Sequence, residues 1–383
     1  MRINMFCRVA TVILGCTLCA LPAIAKTWHV PGDAATIKGG IALASSGDTV
    51  LVACGTYYEY DIRMKSGVCL RSETGDASCV TIDAQQQDNV IYCRFVASTA
   101  RIEGFTITGG LAQGTMTDQR SGGGLCCLDN SSPTVENCTF TGDSADWNGG
   151  GVYCCYNSSP TFINCTISYN SASNGGSGMC FQDNSDPTMT DCTISDNFGT
   201  GIWTGNGASP TLTGCTFSGN SKSAIYCGYN GGHLTAIDCE FSSNTAGQGG
   251  GMRFWNSSAT LTECEFSDNS ASNGGALCLN DASVALINCS ITGNSAYEGG
   301  GIYLNDSTQG ASYLTADTTE FFDNTATNDG AHGLVGSGSE LVLTCSVSDL
   351  SGFAGAGTIV LNYDGCFSPT KPVTWGRLKE LYR

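Results

Sequence analysis

The segment Cys215-Thr-Phe-Ser-Gly-Asn220 contains a motif that recurs about every 25 residues through the middle of the chain. The motif is a Cys, an apolar residue two positions later and an Asn three positions after that. Further copies begin at Cys165, Cys192, Cys239, Cys264 and Cys289, and the series runs from Cys138, with Asp143 in the Asn place, to Thr319, with Asn324. Glycine runs followed by an apolar residue separate the copies: Gly149-Gly-Gly-Val152, Gly249-Gly-Gly-Met252, Gly274-Gly-Ala-Leu277 and Gly299-Gly-Gly-Ile302. Such self-similarity at a fixed period indicates a solenoid.

The local pattern of each repeat predicts short β-strands. In Cys215-Thr-Phe-Ser218, residues of buried type alternate with small polar ones, and Gly, Asn, Asp and Ser mark frequent turns. We therefore predict an all-β fold, a single-stranded parallel β-helix (solenoid) of about a dozen coils in one domain. Equivalent residues of neighbouring coils then lie about 4.8 Å apart. The Cys, the Phe or Ile, and the Asn residues each form an interior column, and the Asn amides hydrogen-bond between coils.

The chain has 23 cysteines and three histidines. Buried thiols behave as small hydrophobes, so we expect most of the Cys column to consist of free, packed thiols. The repeat region has no Cys-x-x-Cys pair, and metal binding by cysteine is not favoured. Cys126-Cys127 and Cys154-Cys155 are adjacent, so one member of each pair is expected to face solvent. These cysteines, with Cys180 and Cys278, are the predicted disulfide candidates.

The first 25 residues predict a secretory signal peptide. Arg2 and Arg8 are followed by an apolar stretch from Val9 to Leu21, and Ala23-Ile-Ala25 is a small-residue cleavage site. Removal of this segment leaves 20 cysteines and takes the net charge from −18 to −20. We expect a secreted, extracellular or cell-surface bacterial protein, monomeric and without a transmembrane segment in the mature chain. Its acidity argues against nucleic acid and anionic membranes as partners.

The mature chain is expected to form a β-helix over residues 26–366 and a separate stretch over residues 367–383. Residues 26–47 form the predicted N-terminal cap, because the apolar residues from Thr36 to Ala44 have the spacing of a short helix. Residues 122–329 hold the regular repeats. Solenoids need capped ends to prevent edge pairing. The stretch 367–383 is either a second cap or a sorting tail.

Two successive coils place carboxylates on both sides of the column Cys, where the other coils have mostly Asn and Thr. The spacing of about 5 Å between coils and about 7 Å along a strand predicts that the carboxylates form a grid on the outside of the solenoid. The grid is a solvated acidic patch, a Ca²⁺ site or a catalytic pair of the kind glycosidases use. Arg253, His233, Trp255 and Asp268 are candidates to help hold a sugar there. The four residues are Asp238, Glu240, Glu263 and Glu265.

Outward aromatic residues provide a second candidate site. The apolar residues after the glycine runs are expected to face inward, which places the next residue of each coil outside. Outward aromatics along a solenoid can stack on sugar rings, although they can equally pack under a loop or against another protein. The predicted ligand-binding residues are Tyr153, Trp203, Tyr226, Arg253 and Tyr303.

Two parts of the chain resemble known proteins. The stretch from Trp28 to Gly110, with Gly47-Asp-Thr-Val50, Gly55-Thr-Tyr57 and Ile102-Glu-Gly-Phe-Thr-Ile107, resembles the N-terminal part of secreted bacterial right-handed β-helix proteins. That group includes pectate lyases, pectin esterases and NosD-like periplasmic proteins. The central repeats are similar to those of chlamydial polymorphic outer-membrane proteins, which are surface adhesins. The resemblance implies a right-handed coil and an exported protein. The sequence lacks the pectin esterase motif, and Ala331-His-Gly333 departs from the Gly-His-Gly of polygalacturonase-like enzymes.

The sequence thus predicts a secreted or surface-displayed, non-catalytic protein for binding or adhesion, with a polysaccharide or cell-surface glycan as partner. The first alternative is a polysaccharide lyase or glycoside hydrolase acting on the lateral face of the β-helix at the four carboxylates. The second alternative is a purely structural envelope protein. No cofactor is required by these predictions other than the Ca²⁺ considered for the carboxylates.

Overall fold

The stacking predicted from the repeat is present in the computed structural model, which describes residues 25–228, 230, 232–305, 310–344, 346 and 352–362. Successive turns of the chain add parallel strands to the same sheets, in register, so that Thr188 pairs with Thr211 and Thr193 with Thr216. The parallel β-helix is therefore confirmed. The predicted signal peptide lies outside the described residues except for Ala25, and so does the stretch 367–383.

Three long sheets and two short ones make up the described part of the solenoid. The 14 strands of sheet 1 are Thr27–Val30, Thr49–Val52, Cys69–Ser72, Arg101–Glu103, Thr134–Glu136, Thr161–Ile163, Thr188–Thr190, Thr211–Thr213, His233–Ile237, Ser258–Thr262, Ser283–Ile287, Tyr313–Asp317, Glu340–Thr344 and Thr358–Asn362. The 11 strands of sheet 2 are Gly55–Tyr57, Val80–Asp83, Phe105–Thr108, Thr139–Thr141, Thr166–Ser168, Thr193–Ser195, Thr216–Ser218, Glu240–Ser242, Glu265–Ser267, Ser290–Thr292 and Glu320–Phe322.

Sheet 3 and the short sheets complete each coil. The 12 described strands of sheet 3 are Ile62–Arg63, Ile91–Arg94, Leu125–Leu128, Val152–Cys154, Met179–Phe181, Ile202–Thr204, Ile225–Cys227, Met252–Trp255, Leu277–Asn280, Ile302–Asn305, Gly333–Val335 and Phe353–Gly355. Between sheets 2 and 3, a short sheet of three strands comprises Leu111–Ala112, Ser144–Ala145 and Ser171–Ala172. A second short sheet of four strands comprises Thr245–Gln248, Ser270–Asn273, Ser295–Glu298 and Thr325–Asp329.

The interior is built from columns of like residues, as the repeat predicts. The Cys column is 1–3% exposed from Cys138 to Cys289. The neighbouring column on sheet 2 contains a stack of three phenyl rings, in which Phe241 lies 4.9 Å from Phe217 and 4.8 Å from Phe266, centroid to centroid. The inward apolar residues of sheet 3 are fully buried as well, for example Ile202. Burial of these columns supplies most of the apolar stabilisation of each coil.

The buried Asn residues form a hydrogen-bonded ladder, which we call the asparagine ladder. The Oδ1 of Asn220 accepts from the backbone N–H and the Nδ2 of Asn197, at 3.2 and 3.0 Å. The Nδ2 of Asn220 donates to Asn244 Oδ1 at 2.9 Å and to the carbonyl of Ile194 at 3.1 Å. The same pattern continues to Asn324, so the predicted hydrogen bonding between coils is confirmed.

The residue before each column Cys lies in the left-handed region of backbone space. Asn and Asp tolerate this region better than other non-glycine residues, which explains their frequency at the bend between sheets 1 and 2. The backbone angle φ at these positions lies between 49° and 62° for Asn137, Asn164, Asp191, Gly214, Asp238, Glu263, Asn288 and Thr318.

The predicted N-terminal helix spans Ile37–Leu43 and packs on the first strands of the solenoid. Its first turn is capped by Thr36, whose side chain accepts from Gly39 N–H, and by Glu59, whose carboxylate accepts from Ile37 N–H at 2.7 Å. Gly40 is needed because a Cβ there would lie 2.7 Å from Val50 Cγ1. The helix therefore covers the open end of the core closely, as a cap must.

The cysteines differ from the predictions in two ways. Cys126 and Cys155 do not face solvent: they are 0% and 1% exposed, in a second apolar cluster on the outside of sheet 3. They and the other predicted disulfide candidates are free thiols. The disulfide joins Cys54 to Cys79, which are 25 residues apart and therefore one coil apart. The column cysteines are free, as expected.

Candidate functional site

The outward side chains of sheet 3 form one continuous column along the solenoid. Strand register places them in the order Arg63, Tyr92, Cys126, Tyr153, Cys180, Trp203, Tyr226, Arg253, Cys278 and Tyr303. All five residues predicted to bind a ligand therefore lie on the same face, on strands of one sheet. The column has a covered half and an accessible half.

Tyr153 belongs to the covered half of the column and is buried. It is 2% exposed, and its hydroxyl donates to Gln182 Oε1 at 3.1 Å. Residues 113–121 contribute to this cover, since Cys126 Sγ donates to Asp118 O at 3.8 Å. Burial raises the pKa of the Tyr153 phenol. Tyr153 therefore packs against other parts of the chain, one of the alternatives that the sequence left open for the outward aromatic residues.

The accessible half lies beside a gap between the two short sheets. Two connections from sheet 2 to sheet 3, Ser195 to Ile202 and Ser218 to Ile225, contain only six residues each. The corresponding connection has ten residues in the preceding coil, after Ser168, and nine residues in the following coil, after Ser242. The shorter connections form no strand of a short sheet, and they leave a groove of about 360 Å³.

Aromatic rings line one side of this groove. A Cβ at Gly205 would lie 2.5 Å from Trp203 Cη2, and one at Gly228 would lie 2.9 Å from Tyr226 Cε2. Each ring thus occupies the space above the glycine that follows its own strand and lies against the sheet. Trp203 and Tyr226 meet edge to face at 6.3 Å between centroids, a favourable arrangement.

Arg253 continues the aromatic surface. Its Cζ lies 4.6 Å from the Tyr226 ring centroid and 5.5 Å from that of Trp255, within the range of cation–π contacts. Its Nε is buried and has no hydrogen-bond partner within the described part of the protein. The groove is completed on its other sides by Asn174, Gly175, Thr200, Lys222, Ser223, Ala246, Gly247 and Gln248.

Tyr303 lies two coils beyond Arg253 and does not line this groove. It is half-buried, and burial raises the pKa of its phenol, with a further contribution from the charge of Glu298. The groove thus contains three of the five predicted residues: Trp203, Tyr226 and Arg253.

The four predicted carboxylates are exposed, but they do not form a flat grid. Glu240 and Glu265 are register partners on neighbouring strands of sheet 2, as expected. Asp238 and Glu263 instead occupy the left-handed bend before the Cys column, with φ of 53° and 55°. The grid was wrong because strand alternation stops at this bend. A catalytic or Ca²⁺-binding role for the four carboxylates stays a prediction.

Arg253 and Trp255, two of the residues considered for holding a sugar at these carboxylates, lie on another sheet. Arg253 and Trp255 belong to sheet 3, whereas Glu240 and Glu265 belong to sheet 2. Within the residues that the structure describes, no three His, Cys, Asp or Glu side chains are grouped so as to hold a metal ion. The described chain also contains no helix with the length and apolarity needed to span a membrane.

Sequence reasoning missed Lys222, Gln248 and the glycines under the aromatic rings. One signal for them was present. The Cys motifs from Cys192 to Cys215 and on to Cys239 are spaced by 23 and 24 residues, less than the 25 to 27 of their neighbours. Shorter repeats in a regular solenoid indicate shortened connections, and these form the groove.

Comparison with known proteins supports the fold. Residues 89–258 match the model of the right-handed beta helix region, and residues 263–280 match that of the Chlamydia polymorphic membrane protein repeat. Among solved structures, the Dettilon tailspike protein (gp208) is similar over 87% of this chain and 68% of its own, with a TM-score of 0.57 and 15% identity. Pectate lyase Pel9A aligns over 92% of this chain and 84% of its own, with a TM-score of 0.44 and 11% identity. No curated protein matches. The chain has the right-handed parallel β-helix fold, and it contains a repeat that resembles that of the chlamydial polymorphic membrane proteins.

Proposed function

We propose that this protein binds a polysaccharide or cell-surface glycan on the outer face of sheet 3, as a non-catalytic binding or adhesion protein outside the cell or at its surface. The observation that carries the proposal is the groove with Trp203 and Tyr226 laid against the sheet and Arg253 beside them. Flat aromatic surface next to polar side chains is the arrangement that apolar sugar faces and their hydroxyl groups require.

The shape of the site favours a chain-like ligand. Strands stack in register along sheet 3, so residues on successive coils repeat about every 4.8 Å along the solenoid. Trp203, Tyr226 and Arg253 follow one another at this spacing. A ligand that lies along the solenoid meets one of these side chains per coil. The fold shared with a tailspike protein is compatible with this use and adds nothing about the ligand.

A glycan-array screen of the full chain, followed by calorimetric titration with the glycans that bind, tests the proposal. Trp203→Ala and Tyr226→Ala should each weaken binding about tenfold or more, because central aromatic residues dominate the binding energy of such surfaces. Tyr313→Ala is the matched control, since Tyr313 is 49% exposed on sheet 1, outside the groove. Equal losses in all three variants, or no glycan bound by the wild type, would refute the site.

The enzymatic alternative is tested on the same glycans. Reducing ends and unsaturated products are measured with wild type and with Glu240→Gln/Glu265→Gln, which removes the carboxylate pair of sheet 2. We expect binding without turnover. Turnover that disappears in the double variant would replace the proposal with a polysaccharide lyase or glycoside hydrolase.

A further inference from the structure

Basic residues are distributed unevenly along this chain. Between Arg120 and Lys371 there are 23 Asp and Glu residues but only two Lys or Arg residues, Lys222 and Arg253. These two lie on different coils, yet both line the aromatic groove. In a long, strongly acidic part of the molecule, the positive charge is thus concentrated at one place.

The two cations also differ from most of the described arginines nearer the N-terminus. There, Arg63, Arg71, Arg94 and Arg101 each form an ion pair with an Asp or Glu. Within the described residues, neither Lys222 nor Arg253 has such a partner. Their charges are therefore not neutralised locally, and Arg253 also has the unpartnered Nε. An anionic group of a ligand in the groove would supply the missing counter-charge.

The outward columns of sheet 3 beside the groove contain no carboxylates. Two columns of outward residues on sheet 3 run past the groove. In each coil, the residue of the second column lies two positions after that of the first. On the six coils around the groove these columns hold twelve residues, all of them uncharged except Arg253: Cys180, Gln182, Trp203, Gly205, Tyr226, Gly228, Arg253, Trp255, Cys278, Asn280, Tyr303 and Asn305. Asp183 and Glu298 lie beside these columns, close to Cys180 and Tyr303, but neither lines the groove. Glu240 and Glu265 lie on sheet 2.

We propose that the groove binds an acidic sugar, with its carboxylate or sulfate group paired with Arg253 and Lys222 and its ring against Trp203 and Tyr226. This inference rests on the proposed glycan-binding function and adds the class of glycan. A guanidinium offers parallel donors that match the two oxygens of a carboxylate or sulfate, and the ammonium of Lys222 adds a point charge. The acidic faces elsewhere repel the same ligand, so they direct it to the groove.

The test compares glycans that differ only in charge. The full chain is titrated with oligogalacturonate and with its methyl ester, and separately with a sulfated oligosaccharide and its desulfated form. The charged member of one pair should bind about tenfold more tightly, the difference expected for hydrogen bonds to a charged group. The pair that shows the preference identifies the carboxylate or the sulfate as the recognised group.

Three variants test whether that preference arises in the groove. Lys222→Gln/Arg253→Gln should bind charged and neutral forms equally, whereas Arg63→Gln, with Arg63 in the same outward column but far from the groove, should keep the preference. Gly247→Tyr should weaken binding of both forms without changing charge. A Cβ at Gly247 meets no atom within 4 Å, so the new side chain has room and extends into the groove.

The outcomes separate the two proposals. If no glycan of either kind binds, the proposed function is wrong. If glycans bind but charged and neutral forms bind equally, or if the preference survives in Lys222→Gln/Arg253→Gln, only the acidic-sugar inference is overturned. If Gly247→Tyr binds as the wild type does, the ligand lies elsewhere on the molecule.

Discussion

Replacing Asp143 by Asn should stabilise this protein at neutral pH. Asp143 is the first side chain of the asparagine ladder, where each of the other positions up to Asn324 is Asn. It is 1% exposed, and its Oδ2 has no hydrogen-bond partner among the described residues. Its Oδ1 accepts from Gly110 N–H at 2.8 Å, as the Oδ1 of a ladder Asn does from the coil before it.

The unpartnered Oδ2 occupies the place of a donor. A Cβ built on Gly124 would lie closest to Oδ2 of Asp143, and a Cβ built on Gly151 would lie closest to Nδ2 of Asn170. The Asp143 oxygen therefore takes the position that the amide nitrogen takes in Asn170. In Asn170 this Nδ2 donates to the carbonyl of Phe140 at 3.0 Å and to Asn197 Oδ1 at 3.2 Å. An ionised Asp143 thus points an oxygen at a position where the ladder supplies an N–H group.

The magnitude follows from these bonds. Asn at position 143 would regain two hydrogen bonds worth about 1 kcal/mol each, and it would remove an unpaired buried oxygen that costs about 1–3 kcal/mol. These effects overlap, because the new donor replaces the unpaired oxygen. We therefore expect a gain of about 2–4 kcal/mol in the free energy of unfolding at pH 7.

The gain should depend on pH. Burial raises the pKa of the Asp143 carboxyl well above its ordinary value, and the hydrogen bond from Gly110 offsets this in part. A raised pKa means that the folded protein holds the proton more tightly than the unfolded chain. The stabilisation from the protonated form is complete below the unfolded pKa of about 3.9 and is lost as pH rises towards the folded pKa. The advantage of Asp143→Asn should therefore be smallest near pH 4 and grow as the pH rises to 7.

Urea unfolding followed by circular dichroism at several pH values measures this effect. Midpoints are compared, because a solenoid can unfold in stages. The matched control is Asn244→Asp, which introduces the same carboxyl into the middle of the ladder and should destabilise most at pH 7. Equal midpoints for wild type and Asp143→Asn at pH 7, or a difference that does not change between pH 4 and 7, would refute the reasoning.

Two further predictions concern the core and the cysteines. Phe241→Ala removes the central ring of the stack with Phe217 and Phe266 and should destabilise by about 3–5 kcal/mol in the same urea assay; a loss below about 1 kcal/mol would contradict tight stacking. Iodoacetamide should not label the column cysteines in the native protein, where they are 1–3% exposed, but should label them after denaturation without reductant, while Cys54 and Cys79 stay unlabelled as a disulfide.

The interior was predictable from the sequence because two periods determine it together. The repeat brings equivalent residues of neighbouring coils together, and strand alternation selects which of them face inward, so the Phe241 and Asn244 columns follow directly. Departures from either period were not predictable in this way. The repeat does not determine which outward aromatic residues are covered, so the burial of Tyr153 did not follow from it. Asp238 and Glu263 lie at a bend where alternation stops, and the predicted carboxylate grid failed there.

The groove depends on a feature that the core does not control. Its two shortened connections leave all three long sheets continuous, since Ile202 pairs with Ile225 and Thr193 with Thr216 across these coils. Coil stacking is thus maintained by the interior columns, while the length of each connection determines what is accessible beside sheet 3. Changes at Trp203 or Arg253 should consequently alter binding with little effect on unfolding. Changes in the asparagine ladder should alter unfolding with little effect on binding, and this separation is what allows the two sets of experiments to be interpreted independently.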